Sequence, residues 1–165
     1  SCKLTPEPRW IPVLSFSMMA LVTLGCPTNV PADDDDAAAF IEKKMRLGLE
    51  KRGSAAALDA YFDSGFFGST KGARIDLDVR VPAGMAISID DGSGSIKVSD
   101  VNGNVDIDDG SGSMTLERIS GDVVVDDGSG SINVTDIGGD FTVIDGGSGS
   151  INHSAVAGRV DLPED

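Results

Sequence analysis

The residues with chemistry to offer are acidic, and they recur. Asp90-Asp91, Asp108-Asp109 and Asp126-Asp127 each open the phrase DDGSGS, and Asp145 opens a fourth version, DGGSGS. If the phrases stack, Asp90, Asp108 and Asp126 form one column, and Asp91, Asp109, Asp127 and Asp145 form another. Stacked β-coils lie about 4.8 Å apart, where like charges repel by about 0.9 kcal/mol per adjacent pair in water. A bound divalent cation offsets that repulsion. Calcium suits the task, being a hard ion that takes carboxylate and carbonyl oxygens in flexible geometry. The competing reading makes the aspartates Asx-type turn residues that face water and bond their own backbone. That reading is favoured, because the calcium-binding nonapeptide pattern wants Asp two residues after Gly94 and Ile96 stands there.

Other reactive types offer less. Ser93, Ser111, Ser129 and Ser148 would form a hydroxyl ladder, with Ser95, Ser113, Ser131 and Ser150 beside it. Inside glycine corners such hydroxyls serve turns first. The GSGS segments lack the following Lys and the helix start of a phosphate loop. His153 is the one histidine. It falls in the apolar column of Val98, Leu116 and Val134, so a tolerated imidazole in a terminal coil explains it better than a zinc ligand or a catalytic base.

The element that must position these residues is the repeat itself. The phrases begin at Ile89, Ile107 and Val125, 18 residues apart, and the fourth follows at Asp145. Gly103, Gly121, Gly139 and Gly158 mark a second beat. Apolar residues then align as Ile96, Met114, Ile132, Ile151; as Val101, Ile119, Ile137, Val156; as Val105, Val123, Phe141, Val160; and as Ile107, Val125, Val143, Leu162. Within a coil, Ile96 and Val98 or Val105 and Ile107 are two apart, which is strand periodicity. One coil cannot bury its apolar face alone, whereas stacked coils share a core. The predicted fold is all-β, a short single-chain β-solenoid (β-helix) of about 18 residues per coil, with glycines giving the positive φ of its corners.

Composition narrows the partners. A net charge of −14 disfavours nucleic acid and anionic membrane surfaces. The cysteines, Cys2 and Cys26, both precede the repeats, so no disulfide framework is expected there.

Residues 1–26 read as an export signal. Lys3 and Arg9 precede an apolar run from Trp10 to Leu24, too short for a bilayer span and suited to a signal core. Leu21-Val22-Thr23-Leu24-Gly25-Cys26 resembles a bacterial lipoprotein box, which would make Cys26 the acylated residue and a membrane anchor. Cleavage after Ala32 is the rival, and a buried helix or strand over Ile11–Leu24 is the structural alternative. Residues 27–72 hold the Asp33–Asp36 run, a solvated linker. A segment of helical composition follows from Ala37 to Phe62, where Ile41, Met45 and Leu49 share one helix face and Ser54 would cap a second short helix. That segment would cover the open end of the solenoid. Residues 73–165 form the repeat domain, entered through the alternating run Ile75–Val81.

The phrase DVRVPAGMAISIDDGSGSI, followed by repeated glycines and short apolar pairs, resembles a family of exported bacterial adhesin-like domains of unknown function. The resemblance covers about residues 73–165. It implies a β-solenoid in the periplasm, outer membrane or cell surface of a bacterium, and it brings no catalytic residues. The expected function is therefore a non-enzymatic, monomeric envelope or cell-surface module for a protein or glycan partner, with no cofactor. A calcium-stabilised surface protein is the first alternative. A glycan-acting β-helix enzyme is the second, disfavoured because the turns are too short to wall a substrate groove.

Overall fold

The computed structural model describes residues 19–25, 45–52, 55–62 and 74–164. The chain divides into two compact units, Ser1–Pro82 and Ala83–Asp165.

In the first unit, β1 (Met19–Gly25) pairs antiparallel with β4 (Arg74–Arg80), from Met19↔Arg80 to Gly25↔Arg74. Met19–Gly25, expected within the apolar leader, is thus a strand in this structure. Cys26 and the Asp33–Asp36 run lie outside the described residues. The helices expected over Ala37–Phe62 are corrected where that segment is described. Met45–Arg52 and Ala55–Phe62 form an antiparallel pair, β2 and β3, in register from Met45↔Phe62 to Arg52↔Ala55. Two local signals outweigh the helical composition. Met45, Leu47 and Leu49 alternate at strand period, and only Gly53-Ser54 separates the paired ends, a Gly-X dipeptide typical of two-residue hairpins.

The second unit is the solenoid. One parallel sheet is ordered β13 (Val160–Asp161), β11 (Phe141–Asp145), β9 (Val123–Asp127), β7 (Val105–Asp109), β5 (Ile87–Asp91). The other is ordered β12 (Ile151–Val156), β10 (Gly130–Ile137), β8 (Gly112–Ile119), β6 (Gly94–Val101). Each coil gives one strand to each sheet, with about 18 residues per turn over about four turns. The stack begins at Ile87, later than the start at Ala73 expected from alternation, because Arg74–Arg80 pairs with β1 instead.

The apolar columns fall as the repeat requires. Ile96, Met114, Ile132 and Ile151 are register partners, as are Val105, Val123, Phe141 and Val160. Met114, Leu116, Val123, Val125, Ile132 and Phe141 are all 0 % exposed. Fully burying side chains of this size is worth about 1.5–3 kcal/mol each. Leu162 departs from its column, since the last rung ends at Asp161 and Leu162 stays exposed. His153 pairs with Val134 and sits against the Phe141 ring at 6.2 Å between centroids. It is exposed, standing on β12 at the edge of its sheet.

Two corners close each coil, and they use glycine differently. At Gly112 φ is 154°, and a Cβ there would collide with the Gly94 carbonyl oxygen of the preceding coil. At Gly121, Gly139 and Gly158 the expected positive φ is absent. There the room for a Cβ is taken by Asn104, Asp122 and Asp140, respectively, from the coil before. A bend within the longer strand falls instead on non-glycine residues: Asp100, Arg118, Asp136 and Ala155 hold φ of 59°, 54°, 62° and 53°.

Candidate functional site

The DDGSGS corner is where chemistry-bearing residues gather. Each doublet ends a short strand, so its two side chains point to opposite faces. In β7, Val105, Ile107 and Asp109 are buried while Asp106 and Asp108 are exposed. Asp90, Asp108 and Asp126 accordingly line the outer face, and Asp91, Asp109 and Asp127 turn inward at the corner. The ladder pairs Asp90↔Asp108↔Asp126 and Asp91↔Asp109↔Asp127, as the repeat predicts. Asp145 is out of step in the ladder. A register shift between Val143 and Asp145 sets it opposite Asp126 and leaves Ile144 outward, 61 % exposed.

The inward aspartates hold the turn. Asp91, Asp109 and Asp127 each accept through Oδ1 from the backbone N–H two residues on, at Ser93 (3.4 Å), Ser111 (3.2 Å) and Ser129 (3.1 Å). Asp145 accepts from Gly147 N–H at 2.8 Å, so it keeps the role despite its shifted pairing. The serines enter through their backbone N–H groups. Meanwhile the Asp91 and Asp109 carbonyls accept from Gly110 and Gly128 of the next coil, both at 2.9 Å. One residue type thus closes its own corner and ties it to the next.

The expectation that these residues face water is corrected for two of them. Asp109 is 1 % exposed and Asp127 0 %. The signal was in the sequence: Asp109 stands two residues after Ile107, and Asp127 two after Val125, on the inward parity of each strand. Burial pushes the Asp109 carboxyl above the ordinary range, against the lowering pull of the Ser111 N–H, and the Asp91, Asp127 and Asp108 carboxylates push it further up. The calcium expectation gains no geometry. Among the described residues, no group of three or more His, Cys, Asp or Glu side chains could hold a metal ion.

The opposite corner carries a ladder that sequence reasoning missed. Asn104, Asp122 and Asp140 each accept through Oδ1 from a backbone N–H in the following coil: Asp122 at 3.0 Å, Asp140 at 2.9 Å and Arg159 at 2.8 Å. The signal was the residue after each second-beat glycine, Asn104, Asp122 and Asp140. At the bend, Asp100 and Arg118 form a two-pronged ion pair across adjacent coils, at 2.6 and 2.8 Å. Arg118 holds the Asp100 carboxyl below its usual range, chiefly through that hydrogen bond.

No known protein family, curated protein or solved structure matches the chain. Its surfaces therefore have to speak for themselves. The outward face of the four-stranded sheet carries Ser, Thr and Asn columns: Thr115 and Asn133 are register partners, and Asn152 donates to Asn133 at 3.2 Å. Lys97 reaches Glu117 there at 3.6 Å, and Asp136 on β10 is exposed. The five-stranded sheet instead presents Asp90, Asp106, Asp108 and Asp126. Asp106 and Asp122 also edge a shallow depression of about 380 Å³ beside Ile87 and Val124. Asp122 is engaged there as the acceptor for Asp140 N–H.

Proposed function

We propose that this chain is a non-enzymatic, exported envelope or cell-surface module that meets its partner across the outward face of the four-stranded sheet. The observation that supports this reading is the contrast between the faces. One is mixed and largely polar, presenting Lys97, Thr115, Glu117, Asn133 and Asn152, while the other is acidic. A face built on register-locked strands loses little side-chain and backbone freedom on binding, so modest contacts suffice. The resemblance to exported adhesin-like domains, and the apolar run before Cys26, favour placement at a bacterial envelope. A protein or a glycan is the partner such a hydroxyl and amide surface suits.

Co-sedimentation of the full chain with isolated bacterial envelope and purified cell-wall polymer tests the reading. Thr115→Arg and Asn133→Arg should each weaken retention by about tenfold, the equivalent of losing one good contact. Asp106→Asn on the other sheet should leave retention unchanged. Retention indifferent to both arginine variants, or lost with Asp106→Asn, would contradict it.

A further inference from the structure

The turn function of the corner aspartates leaves two atoms unexplained. Asp109 and Asp127 each use Oδ1 for the turn, and the Oδ2 of each is buried with no hydrogen-bond partner. The two residues are register partners of β7 and β9, so their carboxyl groups stand on neighbouring coils on the same inward side. A buried ionised carboxylate is stable only with a partner. The charged groups that act on Asp109 are acidic: Asp91 from β5 and Asp127 from β9 in its own inward column, and Asp108 beside it on the outward face of its strand. Asp126 and the exposed Asp145 flank Asp127 in the same ladder. Across the corner, β8 and β10 open with Gly112-Ser113-Met114 and Gly130-Ser131-Ile132, which carry no charge.

We propose that Asp109 and Asp127 form a buried acid pair that binds one proton, the O–H of one carboxyl donating to the orphaned oxygen of the other. The proton comes from solvent, only an O–H bond is made, and the pair passes from two negative charges to one. A single proton satisfies both orphaned oxygens and removes the like-charge contact between the coils. It makes the solenoid a fold that tightens on mild acidification.

The sign follows from linkage. The folded chain holds this proton more firmly than the unfolded chain, whose aspartates release theirs near pH ~3.9. Between that value and the raised folded value the folded state binds more protons, so stability falls as pH rises and returns as pH drops. Thermal melts of the full chain in chelator, at about pH 7.5 and about pH 5, should show a midpoint higher at the acid end, by about 5 °C or more per pH unit within the window. Asp109→Asn, which leaves an amide able to donate to Asp127, should raise the midpoint at neutral pH and flatten the profile. Asp106→Asn removes one charge from the acidic outer face and should keep the wild-type slope. Identical slopes in the two variants would overturn the pair. Carboxyl-carbon NMR of the unsubstituted protein gives an answer that needs no variant. The Asp109 carboxyl should take up its proton above the ordinary carboxylate range, and titration of Asp109 within that range would refute the proposal.

Discussion

At Gly139 a methyl group would collide with Asp122 Oδ1 and come within 2.7 Å of the Gly121 carbonyl, both in the preceding coil. The residue is specified by atoms 17 and 18 positions back in the chain, which reach it only because coils stack. Gly92, in the first coil, meets nothing within 4 Å of its added Cβ. Gly139→Ala should therefore cost about 1–3 kcal/mol of overpacking, and Gly92→Ala should stay within about 0.5 kcal/mol of the parent, as for surface substitutions away from special features. Urea unfolding of the two variants measures the contrast directly. Much of this scale was legible beforehand. The doublets, the serines and the glycine beat all lie where the period places them. The parity of each doublet with Ile107 or Val125 also marks which Asp turns inward. What the period does not disclose is the partner: that the residue after the second-beat glycine caps the next coil depends on which atoms approach across a rung, and a sequence states only the spacing.

The strands show where a residue sits in the stack as clearly as what it is. Leu116 lies between Val98 and Val134 in its column and is 0 % exposed, whereas Ile151 in the last coil is only half-buried. Leu116→Ala should cost about 2–5 kcal/mol, the range for cavities that the surroundings cannot refill. Ile151→Ala, open to solvent on one side, should cost less than half as much. Chemical denaturation monitored by circular dichroism separates the two. A similar loss at both sites would mean that the final coil is covered in solution. Expectation and structure part company over Met45–Arg52 and Ala55–Phe62 for a reason at this same scale. Alanine, leucine and Glu/Lys content favours helix only weakly per residue, and a Gly-Ser hairpin joining alternating apolar residues is a stronger local instruction. The run Ile75–Val81 did announce a strand, but alternation cannot say which strand it pairs with, and it pairs with Met19–Gly25.

Across the whole molecule, charge and architecture are arranged together. Between Ala83 and Asp165 the cations are Lys97, Arg118 and Arg159. Lys97 meets Glu117 and Arg118 meets Asp100 and Glu117, all within or beside the four-stranded sheet. The five-stranded face keeps its acids uncompensated, which opposes self-association through that face. Inside, the corners are closed by Asp Oδ1 and by coil-to-coil backbone bonds, so the fold assembles from its own groups. The inward aspartate column closes the solenoid's own corners. The most direct test is a circular dichroism melt of the full chain in chelator, then in millimolar calcium, with magnesium controlling for screening. A β-type spectrum and a midpoint unchanged by calcium beyond the magnesium effect are predicted. A rise specific to calcium would contradict the claim, because an ion that binds only the folded form stabilises it, and the column would then be a metal site.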